Sequence, residues 1–293
     1  GVLDADYIDF SATISTSEKQ RVIAPGNLMK EWKSANRNFY HYKTDKKIKF
    51  SLAFISGEFE VQKERYKNVN FKIYHHKNHN QNIDKMMNGL KASFDYNTQY
   101  FGDYQHKSIK VVEFPISEGV FATIMGNVIP TSERRFIANP DAKNQFDTSF
   151  KVQAHELTHH WFGNQLVHAN ALGAGILSES ITDYITLQIF NHQFGKEKKL
   201  QFLQYQCKRY LRGSVNDADE KTLQFAQPKD VYLSYGKGNL ALHTLSTYLG
   251  EEKLNSTLKS FFDDFKNKEN EYPTSLDLIQ KLKQNTPDSL QYL

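Results

Sequence analysis

The chain of 293 residues reads as an α+β protein, a β-rich part followed by a mostly helical part. Three observations carry that reading. Over residues 1–73 apolar residues recur at every second position, the period of a half-buried strand. From Asn80 onward they recur at the helical period. Inside the helical part, His155-Glu156-Leu157-Thr158-His159 puts two imidazoles one turn apart on one face of a helix.

Ile8, Phe10, Ala12 and Ile14 alternate, as do Ile48, Phe50, Leu52 and Phe54. Phe59 with Val61, and Val69 with Phe71 and Ile73, repeat the pattern, with breaks at Pro25-Gly26 and Ser56-Gly57. Strands without helices over this length predict part of an all-β sandwich whose open edge needs a cover. Ile83, Met86, Met87, Leu90, Phe94, Thr98 and Phe101 predict a helix that Gly102 ends. Residues 108–114 predict a strand running into Pro115, and residues 119–135 an edge strand and turn. Helices are predicted over 147–165, 176–194, 200–211, 238–249, 251–265 and 275–283, the last capped by Thr274 or Ser275 after Pro273. Gly173 and Gly175 allow the turn between the second and third helices. Two domains are expected, 1–73 and 74–293.

Hydrophobic residues make up 39% and aromatics 13%, enough for a packed core and too many for a disordered chain. The net charge is +4 and the lysines are dispersed, so no nucleic-acid footprint is expected. No apolar run is long enough to span a membrane, and no signal peptide is evident. The first residue is Gly rather than Met, which suggests a piece of a longer protein. One cysteine excludes an intramolecular disulfide. Cys207 falls on a stripe with Leu200, Leu203, Tyr210 and Leu211 and is expected to be a buried packing thiol.

His155 and His159 have the spacing of H-E-x-x-H, in which two imidazoles hold zinc and the Glu, here Glu156, is a general base. A catalytic zinc takes three protein ligands and keeps one position open. Glu179 fits as the third ligand, and Asp183, one turn later, fits as the acceptor for the outer ring nitrogen of a ligating His. His160, about 100° round the helix from its neighbour, is left outside the ligand set. His75, His76 and His79 sit at the strand-to-helix switch without helical spacing and read as polar loop residues.

His-Glu-Leu-Thr-His with Glu179-x-x-x-Asp183 resembles the thermolysin-type gluzincins. Trp161-Phe162-Gly163-Asn164 and Tyr235-Gly236-Lys237-Gly238 resemble the aminopeptidase N and leukotriene hydrolase family in particular. The gap over residues 160–178 is one residue longer than the family's, which a loop insertion near Ala169–Gly175 would absorb. The resemblance implies a thermolysin-like, mostly helical zinc catalytic domain after the last portion of an all-β domain. It implies one Zn2+ per chain, a peptide substrate, and Tyr235 as the phenol that stabilises the oxyanion, with Tyr232 as its rival. The family's Gly-x-Met-Glu-Asn edge strand, whose Glu binds the substrate amine, is poorly matched by Phe121-Ala-Thr-Ile-Met-Gly-Asn127. Glu118 and Glu133 flank that stretch, and Glu133 is the candidate for the amine.

A further likeness, to bacterial proteins that join an ABC-permease-like part to an aminopeptidase-like domain, implies an extracytoplasmic domain tethered to a membrane. The expected function is a zinc peptidase, an aminopeptidase first and a thermolysin-like endopeptidase second. The reading outside enzymes is a peptide-binding or regulatory module, of little or no turnover, in a membrane transporter-like complex.

Overall fold

The computed structural model describes residues 5–139, 147–217, 219 and 221–291. The N-terminal strands are β1 (Tyr7–Ile8), β2 (Ser11–Ser17), β3 (Arg21–Ile23), β4 (Asn27–Ser34), β5 (Arg37–Lys43), β6 (Ile48–Lys49) and β7 (Ile55–Gly57). They pair antiparallel as β2-β5-β4, β1-β6 and β3-β7. Phe10, Val22, Tyr40, Tyr42 and Ile48 form their shared core. Of the run expected as a strand over residues 48–54, only Ile48–Lys49 pairs, and Phe50 and Phe54 are exposed.

A second sheet has the order β11-β10-β9-β8, with β8 (Glu60–Tyr66), β9 (Val69–His75), β10 (Ser108–Phe114) and β11 (Val128–Ser132). β8 runs antiparallel to β9, whereas β9, β10 and β11 are parallel. Helix α1 (Ile83–Phe101) is the crossover from β9 to β10 that a parallel pair requires. Every residue of β10 is buried, because both faces of the sheet are covered. One face carries Phe71, Ile73, Ile109 and Val111 into the main core beneath the helices. The other carries Tyr74, Val112 and Val128 against Ile23 and Ala53 of the N-terminal strands. The division expected between residues 73 and 74 therefore falls inside β9. We propose that it lies between β7 and β8, because β8 and β9 pair with β10 rather than with the sandwich strands.

Buried Lys110 ties the two parts together. Its ammonium donates to the carbonyls of Ala24 (2.5 Å) and Gly26 (2.6 Å) and lies over the Tyr42 ring. Burial holds its pKa well below the ordinary lysine value.

The helices that follow are α2 (Glu133–Ile137), α3 (Thr148–Thr158), α4 (Ile181–Ser214), α5 (Gly238–Leu249), α6 (Glu251–Phe265) and α7 (Ser275–Asn285). Asp147 caps α3 by accepting from the Phe150 N–H, and Thr274 with Asp277 forms a capping box on α7. The helix expected over 147–165 stops at Thr158, and His159 keeps helical backbone as its C-cap. The helices expected over 176–194 and 200–211 meet within α4 at a break, where Gly195 has φ 78. The expected stripe around Cys207 is not the buried face: Leu200 and Leu211 are exposed, Cys207 is half-buried, and Phe202 with Gln206 points inward.

α1 packs directly on α3, and Gly89 makes that approach possible. A Cβ on Gly89 would stand 2.5 Å from the Phe150 carbonyl oxygen. Gly89→Ala is expected to destabilise the protein by about 1–3 kcal/mol, the range for overpacking, although an unhindered Gly→Ala change in a helix gains about 1 kcal/mol. Denaturant unfolding measures the sign, and a gain in stability would refute the close approach.

Candidate metal centre

α3 and a π-helical turn, Ile176–Ser180, face each other beneath a cleft of about 440 Å³. The turn carries Glu179. His155 Nε2 and His159 Nε2 stand 3.1 Å apart, and each is 3.3 Å from Glu179 Oε2. Two ligands about 2.1 Å from one tetrahedral ion stand about 3.4 Å apart, so this triangle has the size zinc requires. Glu179 Oε2 is buried without a hydrogen-bond partner, as a metal donor atom would be. Burial alone would raise the Glu179 carboxyl, but the two imidazoles outweigh it and hold the group well below the usual carboxylate range. Burial likewise disfavours a proton on His159, yet Glu179 lifts its pKa to about 9. The residues present fit a zinc ion, whose entry would displace that proton.

The outer nitrogens of both rings face oxygens. His159 Nδ1 lies 3.0 Å from the Phe162 carbonyl, which directs its Nε2 into the triangle. Asn164 Nδ2 donates to the His159 carbonyl at 3.0 Å. The Tyr7 hydroxyl donates to the carbonyls of Asn164 and Gln165, so the N-terminal strands brace this turn. Trp161 is buried, and its indole N–H donates to Gly102 at 2.9 Å. The run Trp161–Asn164 is thus a support for His159, a role its sequence does not disclose.

His155 Nδ1 is 3.3 Å from Asp183 Oδ1. Asp183 is fully buried and also meets Lys151, Gln206 and Asn239. Burial raises its carboxyl, but the Lys151 ammonium and His155 outweigh that and leave the pKa below the ordinary value. Lys151, Gln206 and Asn239 were not singled out in the sequence. Gln206 and Asn239 are far from Asp183 in the chain, and Lys151, one turn before His155, offered only its spacing.

Glu156 lines the cleft beside the triangle, and its burial raises its carboxyl above the ordinary value. Tyr235 sits on a second π-helical turn, Tyr232–Lys237, and its ring stacks on His155 at 5.6 Å. Burial, then Glu179, raises its pKa, so the phenol keeps its proton and can donate. The Tyr232 hydroxyl instead donates to Asp217, and its ring stacks on Tyr210. The two π turns interlock through small residues. A Cβ on Gly238 would overlap Ser180 Oγ, one on Gly175 would overlap Ser234 Oγ, and Ser180 Oγ donates to the Ser234 carbonyl.

Residues 85–292 match the Peptidase family M1 domain. The chain belongs to peptidase family M1. The M1 zinc metallopeptidase from Deinococcus radiodurans has a similar structure, with a TM-score of 0.74 at 17% identity over 98% of this chain and 62% of that one. A mutant of that enzyme bound to a Tyr-Ser-Ala substrate gives 0.70 at 17% identity over 98% and 63%. At this identity the likeness shows the fold alone, and the present chain spans about three fifths of those structures. No curated protein sequence matches the chain significantly.

Two M1 expectations meet specific geometry. Residues 169–173, within the stretch expected to absorb the extra residue before Glu179, are irregular, and the π turn Ile176–Ser180 follows them. Glu133, the candidate for the substrate amine, is not among the residues that line the cleft. Its carboxylate accepts the Ile116 N–H at 2.9 Å and lies beside Glu113 and His79. It starts α2 directly after β11. His79 Nδ1 and Glu113 Oε1 are 2.5 Å apart, the separation of a hydrogen bond rather than of two ligands on one ion. Glu118 is exposed and also lies outside the cleft lining.

The three-donor assignment predicts one zinc per chain by elemental analysis. His155→Ala and Glu179→Ala should each lose stoichiometric metal while retaining helical circular dichroism. Full zinc in Glu179→Ala would remove that residue from the ligand set.

Proposed function

We propose that this chain is the catalytic part of a zinc peptidase that hydrolyses peptide bonds, acting first as an aminopeptidase on free N-termini. The observation that carries the proposal is the triangle of His155, His159 and Glu179 with Glu156 beside it, set in an open cleft. A bound zinc would polarise the scissile carbonyl and lower the pKa of an attacking water from 15.7 towards roughly 7.

The chain's own groups then have distinct tasks. Glu156 accepts the proton of the attacking water and returns it to the leaving amine, first base and then acid. The Tyr235 phenol donates to the developing oxyanion. Residues 121–125 run antiparallel along the edge of β11, with the Thr123 N–H on the Pro130 carbonyl and the Met125 N–H on that of Val128. In an extended strand the intervening Ala122 and Ile124 turn their backbone groups the other way. Both line the cleft, where they can pair with an extended peptide. Placement on the extracytoplasmic face of a membrane belongs to this proposal on the resemblance alone. No helix among the described residues is long and apolar enough to cross a membrane.

A second reading, an endopeptidase, is favoured by one observation. Among the described residues lining the cleft, the carboxylates are Glu156 and Glu179, and Lys49 and Lys229 add positive charge. A free ammonium would need another acceptor there.

Glu156→Gln should keep its zinc and lose at least about 10²-fold in hydrolysis, the lower end for a lost general base. Tyr235→Phe should lose about 10²-fold or more in kcat with little change in KM, whereas Tyr232→Phe should not. Unchanged turnover in either active-site variant removes that residue from the mechanism. One peptide with a free and one with an acetylated N-terminus separate the readings. Cleavage of the free peptide alone supports the aminopeptidase, equal cleavage supports the endopeptidase, and cleavage of neither by zinc-loaded protein supports a peptide-binding module.

A further inference from the structure

Lys151 lies one helical turn before His155 on α3, yet its ammonium ends on Asp183 and not in the cleft. Nζ is 2.7 Å from Asp183 Oδ1, the same oxygen that His155 Nδ1 approaches at 3.3 Å. Oδ2 accepts from Gln206 Nε2 and, at 3.2 Å, from Asn239 Nδ2. Asp183 is 0% exposed and Lys151 8%. The ammonium also lies 5.4 Å over the Phe202 ring and 5.9 Å over the Tyr235 ring, so its position is held from three sides.

We propose that Lys151 is a positioning residue that weakens His155 as a metal donor, by diverting the charge of Asp183 from the imidazole. This rests on the zinc reading of the same site. A carboxylate whose only charged partner is the outer N–H of a ligating histidine pushes electron density onto the ring and makes it a stronger donor. Here an ammonium reaches the shared oxygen at 2.7 Å against 3.3 Å for the ring. The ring therefore meets a neutral ion pair rather than a bare negative charge. In a water-excluded interior that difference is screened little. A metal held by a weaker donor keeps more of its positive charge for a substrate carbonyl, at the expense of affinity. Lys151 is thus set to trade tightness of zinc for electrophilicity.

The competing account is that Lys151 only neutralises a buried carboxylate and keeps the fold together. The two accounts differ in the direction of zinc affinity, which chelator competition measures on the complete 293-residue chain without substrate. Lys151→Met should bind zinc more tightly by about tenfold, the scale of changes beyond the ligands themselves. Lys151→Arg, which keeps the charge, should stay near the original affinity. The double variant Lys151→Met with Asp183→Asn is neutral like the native pair and should also return near it. Unchanged or weaker zinc in a folded Lys151→Met protein overturns the proposal.

If circular dichroism shows that Lys151→Met alone does not fold, the double variant decides. Affinity near the original supports charge diversion. A loss of about 10–100-fold, as expected if Asp183 acts on His155 unopposed in the native protein, overturns it. Failure of the zinc reading itself would appear separately, as native protein without stoichiometric zinc or with zinc that survives His155→Ala.

Discussion

The buried carboxylate of Asp183 sets how the helices of the site stand to one another. A charge removed from water is tolerated only when it is paired and its lone pairs are filled. Asp183 is met by groups from three helices: Lys151 and His155 on α3 approach Oδ1, and Gln206 on the far arm of α4 and Asn239 on α5 donate to Oδ2. Displacing α3 would remove the charged partner of Asp183, and displacing α5 or the far arm of α4 would remove a donor from its Oδ2. The break at Gly195 divides α4 into two helical arms and lets Gln206 on the second return to Asp183 on the first. The polar centre therefore specifies the arrangement, and the apolar packing of Phe150, Tyr184, Phe190 and Phe202 around it supplies the bulk of the burial.

Around that centre the site is assembled from two unlike surfaces. The helical side provides rigid donors. The sheet side provides an open edge, because residues 121–125 fold back along β11 and leave alternate backbone groups towards the cleft. The N-terminal strands reach the same cleft through Lys49 and Ser51, and they brace the turn after α3 through Tyr7. Lys110 joins the two parts at a buried point where its donors meet carbonyls of the N-terminal strands. The β-rich part is thus structurally continuous with the wall of the site.

Two π turns set the local register. Glu179 and Tyr235 each sit on one, and the turns touch at reciprocal glycine–serine contacts. A π turn widens the helix and alters where a side chain emerges. The glycine of Tyr235-Gly-Lys-Gly238 has a packing reason for being there, since any side chain would strike Ser180, next to Glu179.

The sequence by itself determined the fold class, the strand and helix periods, and the residues capable of holding a metal. Those are local properties: His155 and His159 share a helix face by spacing alone, and the alternation in Val69–Ile73 follows from the strand repeat. It also carried the family resemblance, which is a matter of residue order. Tertiary structure decided what depends on distant residues meeting. It placed β8 and β9 in the sheet of β10, because strand partners are chosen by shared core and not by adjacency. It set Glu133 at the start of α2, where its carboxylate accepts the Ile116 N–H. It exposed Leu200 and Leu211 and buried Gln206 together with Phe202, because that face of the arm packs on the core beside Asp183. Most of all, it brought Lys151 to Asp183, a pairing between residues whose spacing in the chain is unremarkable and whose meaning exists only once α3 and α4 pack.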